Sequence, residues 1–463
     1  MPKAKSIGAA AASPAVPRGS HSFMPPLRWQ TSASILLLAT LAPSVLEAEP
    51  WTLDRALATA SGRNPDVRIA RERIAGAEAL ITQASSAWMP QLSLQGRYTE
   101  TNSPMMAFGS ILNQRAFNAG LDFNHPGQID NLSGAGTIAY SIYSGGRATA
   151  GREAAKAGAR AAQEYLRAAQ NQLAAEVVKA FLGIEKSREA VAAMEGGVSA
   201  YAAAVDVARA RFGAGQMLKA DLLSLEVQLA QTSETLASVR HGAALEERAF
   251  LFLLGEEPTG GRVELAENDA SLARLTLPDT RDYSPRPELV ALQERVLAAE
   301  AMVRATQAGR LPTVNAFAGY EYDRGWKLDR GADSWMGGVS VGLSVFDGGQ
   351  TSGRIRQAAA ELAEARETLR KATLGISLEA EQARLAYADA QERLRVSSQA
   401  VDQAEESAAL SRARFEKGAL LTSDLIGVES RRIEARVRRV VAEADERIAL
   451  ADLRRALGLS TLP

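Results

Sequence analysis

Arg211-Phe212-Gly213-Ala214-Gly215-Gln216-Met217-Leu218-Lys219-Ala220-Asp221-Leu222 and Arg414-Phe415-Glu416-Lys417-Gly418-Ala419-Leu420-Leu421-Thr422-Ser423-Asp424-Leu425 are one pattern written twice. Reduced to its shared letters it is R-F-x-x-G-x5-D-L, and the copies stand 203 residues apart (414 − 211). Each reads as a helix end, a glycine able to take positive φ, and a new helix with an acidic residue in its first turn or two. One copy is a common turn between antiparallel helices. Two copies at a fixed offset are a duplication.

The same offset carries Gly145-Gly146 onto Gly348-Gly349 and Leu254-Gly255 onto Leu457-Gly458, so residues 145–255 and 348–458 align without an insertion. Upstream, Pro65 and Pro90 match Pro287 and Pro312 at an offset of 222. The 19-residue change (222 − 203) therefore lies between Pro90 and Gly145. Strict spacing with all the slack in one place predicts rigid helices joined by a variable loop.

No proline occurs between Pro126 and Pro258, or between Pro312 and Pro463. These stretches are rich in Ala, Glu, Arg, Leu and Gln, so very long helices are permitted. Leu166 and Leu173 are followed by Val177, Phe181 and Ile184, while Leu362, Leu369, Ile376 and Tyr387, Leu394, Val401 recur at seven. Those are coiled-coil stripes. The spacing from the Gly-Gly pairs to the doubled turn predicts two rods, each roughly 100 Å long at about 1.5 Å per residue. Gly196-Gly197 is expected to soften the first. Shorter helices return over Lys219–Leu254 and about Thr422–Leu457. Two further helices, Leu53–Ser86 and Pro287 to about Gly309, are expected to extend them. The expected partners are Pro287–Gly309 on Lys219–Leu254, and Leu53–Ser86 on Thr422–Leu457.

Strand signals sit between the helices. Leu92, Leu94 and Tyr98 alternate with Gln91, Ser93, Gln95 and Arg97, and Ile138, Tyr140 and Ile142 with Thr137, Ala139 and Ser141. Val314, Ala316, Ala318 and Tyr320, then Val339, Val341, Leu343 and Val345, do the same in the second half, with Phe317 breaking the polar side. Four strands of this kind suit a membrane β-barrel, with a half-buried soluble sheet as the alternative. Four strands cannot close a spanning barrel, so the chain must then oligomerise; three copies give twelve strands.

Composition excludes much else. The 53 basic and 54 acidic residues balance, which gives no electrostatic footprint for nucleic acid. There is no cysteine and only His21, His125 and His241, so neither metal nor cofactor is implied. No P-loop or strand-linked G-x-G-x-x-G is present, and the carboxylates fall at helical spacing beside basic partners, as in Glu164…Arg167, so an enzyme is not expected. Arg28, the apolar run Ile35–Thr40 and Ala48 have the order of a secretory signal peptide, with Met24 as a possible true start.

With the doubled turn, the repeated helix, strand-pair, long-helix and return-helix order, and Tyr143-Ser144-Gly145-Gly146 echoed by Phe346-Asp347-Gly348-Gly349, the chain resembles the TolC family of outer-membrane efflux proteins. The resemblance runs from about Trp51 to Leu457. It implies a mostly α fold with a membrane β-barrel part, in which a duplicated long-helix coiled coil joins four strands per chain contributed to a trimeric barrel. It implies a passive exit duct of a tripartite efflux or type I secretion system. Its partners would be two further copies, a periplasmic adaptor, an inner-membrane pump of RND, ABC or MFS type, and outer-membrane lipid. The location implied is the outer membrane of a Gram-negative bacterium, with most of the chain in the periplasm.

By the same resemblance the doubled turn is the periplasmic tip. Arg211, Phe212, Gly215, Asp221, Leu222, Arg414, Phe415, Gly418 and Leu425 would meet the adaptor, and Asp424 with Asp221 would gate the pore. Some members latch the tip through a tyrosine and an arginine where this chain has Phe415 and Leu420, and Gly427 stands where some carry a second acidic ring. The first extracellular loop would be about residues 102–133, its counterpart about 323–334. The expected divisions are 1–48 (signal peptide), 49–255 (first repeat), 256–286 (an irregular equatorial segment) and 287–463 (second repeat). An exported coiled-coil scaffold without a pore remains the competing reading.

Overall fold

The computed structural model describes residues 50–122, 124–258, 263–266 and 282–459; the expected signal peptide lies outside them. The helices are α1 (Leu53–Arg63), α2 (Pro65–Ser85), α3 (Pro104–Asn113), α4 (Arg147–Gly213), α5 (Lys219–Leu254), α6 (Pro287–Gln307), α7 (Gln350–Glu416) and α8 (Thr422–Ala456). The strands are β1 (Gln91–Thr101), β2 (Ile129–Tyr143), β3 (Thr313–Gly325) and β4 (Arg330–Gly342). The fold is mostly helical, as expected. No described helix is long and apolar enough to cross a membrane.

Both rods, α4 and α7, are 67 residues long. α4 runs unbroken through Gly196-Gly197. The missing side chain at Gly197 serves close packing, because a Cβ there would stand 2.6 Å from Ile433 Cδ1 on α8. Leu173, Val177, Phe181 and Ile184 of the first stripe are buried, in a core shared with Leu53, Val67, Phe250 and Leu254. Trp51 and Phe181 both meet the Phe250 ring edge-on, at 6.0 and 6.2 Å. Of the second stripe only Ile376 and Val401 are buried.

Proline 65 divides the expected helix Leu53–Ser86 in two. Asn64 leaves the helical region (φ −59°, ψ 131°), as a residue before proline prefers, and caps α2 by accepting from Asp66 N. This join also corrects the stacking order. Asn64 donates to Leu253 O at 2.9 Å, so α2 continues the line of α5. Arg286, the residue before Pro287, donates to Ala456 O at 3.1 Å, so α6 continues α8. The expected partners are exchanged. The two joins are equivalent under the repeat: 64 maps to 286 at the strand-side offset and 253 to 456 at the helix-side one. Helices α2 and α5 lie along α4, α6 and α8 pack between α4 and α7, and α7 closes the row.

The second join is ionic. Arg286 is buried and bonds Glu288 and Glu379, the latter at 2.8 Å, while Arg455 reaches Glu379 at 2.6 Å. Burial works against the Glu379 carboxylate, but the hydrogen bond and charge of Arg286, with Arg455, outweigh it and hold its pKa below 4.5. A depressed pKa stabilises the fold above the unfolded value, and that contribution is lost as pH falls through the folded one. Acid denaturation below pH 4.5 should therefore be less steep in Glu379→Gln than in the parent. Identical acid profiles would remove this pair from the acid response.

The sheet is antiparallel, in the order β1-β2-β3-β4. Its register aligns Leu92 with Ile138 and Ala318, Tyr320 with Trp335, and Val314 with Val341. One face is thus apolar, and it is bare: Leu94 is 82% exposed and Trp335 80%. Leu343 and Val345 fall past the end of β4. The strands extend further than expected at their outer ends, because the β3–β4 turn needs only residues 326–329. The backbone N–H groups of Trp326 and Lys327 donate to Asp130, which ties that turn to β2. The expected loop 102–133 shortens to 102–128 and contains α3.

Candidate functional site

The two turns have the same backbone. Gln216 N donates to Arg211 O and Gly215 N to Phe212 O; Ala419 N donates to Arg414 O and Gly418 N to Phe415 O. With φ of +70° at Gly215 and +75° at Gly418, each is a glycine-terminated helix end. Leu218 and Leu421 occupy the N-cap positions of α5 and α8. Asp221 and Asp424 then fall in the first turn, where the helix dipole favours a carboxylate.

The side chains break the symmetry. Phe415 is 2% exposed and Phe212 40%. Arg211 leaves its own turn, donates to Phe415 O at 3.1 Å, and sets its guanidinium carbon 5.7 Å from the Phe415 ring centre. It also fills the space a Cβ on Gly418 would need, at 2.9 Å, whereas Gly215 has nothing within 4 Å. Its counterpart Arg414 is exposed. Leu222 and Leu425 join Phe415 inside a cluster with Tyr201, Val205, Leu225 and Ile433. Asp424 is exposed and Asp221 half-buried. The site residues therefore form three groups: Phe415, Leu222 and Leu425 inside, Arg211 and Asp221 half-buried, and the rest at the surface.

Behind the turns lies a polar layer that sequence reasoning missed. Tyr201 on α4 donates to Ile426 O at 3.1 Å and shares a 2.8 Å hydrogen bond with Ser430 of α8. Burial pushes its phenol pKa up. Glu429, 1% exposed, accepts from Arg412 of α7 and from Arg432. Glu405 of α7 pairs with Arg436 of α8, and that hydrogen bond holds the Glu405 carboxyl below its ordinary value. The i, i+3 spacing of Glu429 and Arg432 was visible, but it looks like any solvated helix pair. Between α7 and α8 runs a groove of about 880 Å³, walled by Val396, Ala400, Ala404, Val428, Ala435 and Val441.

The profile of the outer membrane efflux protein family matches residues 56–256 and 284–459, which includes both rods, both turns and all four strands. The chain belongs to the outer membrane efflux protein family. The outer membrane efflux protein BepC of Brucella suis biovar 1 (strain 1330) is 27% identical over 203 residues, 41% of this chain and 42% of that relative. The match thus spans less than half the length of that curated relative. Among solved structures, the outer-membrane channel OprN superposes with a TM-score of 0.74 at 20% identity, covering 89% of this chain and 91% of that one. The outer membrane protein VceC of Vibrio cholerae gives 0.73 at 20% identity, over 88% and 96%. At such identities the likeness speaks for the fold: this efflux family member shares the mixed rod-and-sheet architecture of those channels.

Proposed function

We propose that this outer membrane efflux protein is the passive exit duct of a tripartite system, working as a homotrimer with a periplasmic adaptor and an inner-membrane pump. The observation that carries this is the chemistry of the protomer's two free edges. On α5, the side turned away from α4 exposes Leu223, Val227, Leu245 and Phe252 in one stripe. On α7, the side turned away from α8 exposes Leu374, Leu378, Leu385 and Leu410 in another. The stripes lie at opposite ends of the helix row, so they meet by joining copies head to tail, which closes into a ring. The sheet repeats the arrangement, because β1 and β4 each have an unpaired edge. Three copies join twelve strands, whose bare apolar face suits lipid and leaves the scaffold reading without an explanation for it. In this reading 1–48 is a signal peptide, 49–255 and 287–463 are the two repeats, 256–286 is equatorial, and most of the chain lies in the periplasm.

At the tip, Arg211 serves as the latch in place of the polar pair that Phe415 and Leu420 cannot form. The adaptor meets the exposed members of the doubled turn, Phe212, Gly215, Arg414 and Gly418, and the groove between α7 and α8. Leu222, Leu425 and Phe415 support that surface from below. Asp424, from three copies, lines the aperture with Asp221 nearby. Drug efflux and type I secretion are both compatible with such a duct. In single-channel recordings, Asp424→Ala should reduce cation preference and Arg211→Ala should raise the open fraction. Unchanged selectivity would remove Asp424 from the pore, and an unchanged open fraction would remove Arg211 from the latch.

A further inference from the structure

The loop 102–128 is where the two repeats differ most, and its helix α3 has a definite seat. Its inward residues Ala107 and Ile111 pack on Ile129. Gln114, fully buried, donates from Nε2 to Asp130 O and Asn131 Oδ1, both at 2.8 Å. Asn131 in turn donates to Asp323 Oδ1, and Arg115 reaches Asp333 O at 3.1 Å. At this end Ile129, Asn131, Asp323 and Ala332 are buried on the side of α3, while Asp130, also buried, alternates to the other side, where it accepts from the β3–β4 turn. In the register, Asn131 opposes Thr99, Asp323 opposes Ser133, and Ala332 opposes Asp323. All belong to the face that carries Gln91, Ser93, Gln95 and Thr137, opposite the one that carries Leu92, Leu94 and Ile138. Side chains alternate along a strand, so α3 lies on the polar face.

In a barrel whose apolar face meets lipid, the polar face is the lumen. We infer that α3 and the chain following it to Leu121 form a collar inside the outer mouth of the duct, a second constriction independent of the periplasmic tip. This rests on the trimeric-duct reading. Twelve strands about 4.8 Å apart and tilted by about 40° enclose about 24 Å between backbones. A helix about 10 Å thick on each third of that wall leaves only a narrow axis open. The residues of α3, from Pro104 to Asn113, include none with a charge. Met105 and Leu112 are seven apart, 81% and 46% exposed, and lie on the side away from the buried Ala107 and Ile111. Three copies turn these side chains to one axis. The α3 part of the collar is therefore apolar, and it retards bulky solutes while small ones pass.

The absence of cysteine gives a clean test. Gln95 is an exposed polar-face residue six positions down β1 from Thr101, about 20 Å inside the mouth. Gln95→Cys would be labelled in intact cells, from outside, with methanethiosulfonate ethylammonium and with a maleimide carrying a polyethylene glycol chain. The small reagent should react at the same rate whether residues 104–121 are present or replaced by a short Gly-Ser linker. The bulky reagent should react about tenfold faster in the replaced chain. The double variant Met105→Ser, Leu112→Ser keeps the helix and should give an intermediate rate, should the replacement fail to fold. Trimers in which the bulky reagent reacts equally fast in all three backgrounds overturn the collar alone. A protein that extracts as a monomer overturns the duct beneath it.

Discussion

Replacing Glu429 with alanine is expected to destabilise the tip by about 3–5 kcal/mol, the loss that follows when one partner of a buried ion pair is removed. Glu429 is 1% exposed, and one of its two partners, Arg432, has a side chain only 5% exposed. Without the carboxylate, that guanidinium stays buried with its nearest counter-charge gone. The other partner, Arg412, is 43% exposed and can turn to water, so it adds little to the loss. Because the triad bridges α7 and α8 beside the α4 residues Ala204 and Val207, the loosened region is the one that holds the turns together. Denaturant unfolding followed by helical circular dichroism checks this. A loss below about 1 kcal/mol would mean that Arg432 finds water, and that the layer is no structural keystone.

The second large effect concerns the joins between stacked helices. Gly255 and Gly215 have nearly the same backbone, φ +73° and +70°. Alanine at either meets the left-handed penalty of about 1–2 kcal/mol. At Gly215 nothing else happens, since a Cβ there has no neighbour within 4 Å. At Gly255 a Cβ would stand 2.6 Å from Arg63 O and 3.1 Å from Asn64 N, both main-chain atoms that cannot swing aside. The end of α5 must then part from the start of α2, and the Asn64 to Leu253 hydrogen bond is lost with its buried donor. Gly255→Ala should therefore cost about 2–3 kcal/mol more than Gly215→Ala. Equal losses in the same unfolding assay would show that the join is not tight.

Local rules explain which parts of this fold were readable from the residues. Proline-free, alanine-rich stretches predicted both rods, and the glycine turns placed the start of α5 and of α8 at Lys219 and Thr422, where they stand. Period-two alternation located all four strands, because successive side chains point to opposite faces and one face is apolar throughout. What escaped was set by distant contacts. Which short helix continues which return helix depends on Asn64 and Arg286 meeting carbonyls 189 and 170 residues away. No periodicity encodes that. Pro65 was in view, yet the apolar pattern on both sides of it hid the break. Helix α3 was missed because Met105, Met106 and Phe108 read as loop composition until Gln114 anchors them to β2. At the tip, Phe212 and Phe415 are identical letters in identical motifs. Only the packing of α4 and α7 on α8, with Arg211 reaching across to Phe415, buries one and exposes the other.

The central claim is that this chain closes a pore only as a ring of three. The most direct measurement is the mass of the detergent-extracted protein, together with its conductance in a planar lipid bilayer. A particle of about three chain masses that conducts ions is the expected result. A non-conducting monomer or dimer recovered from the periplasm would contradict it, and would leave the exposed stripes of α5 and α7 to a different partner.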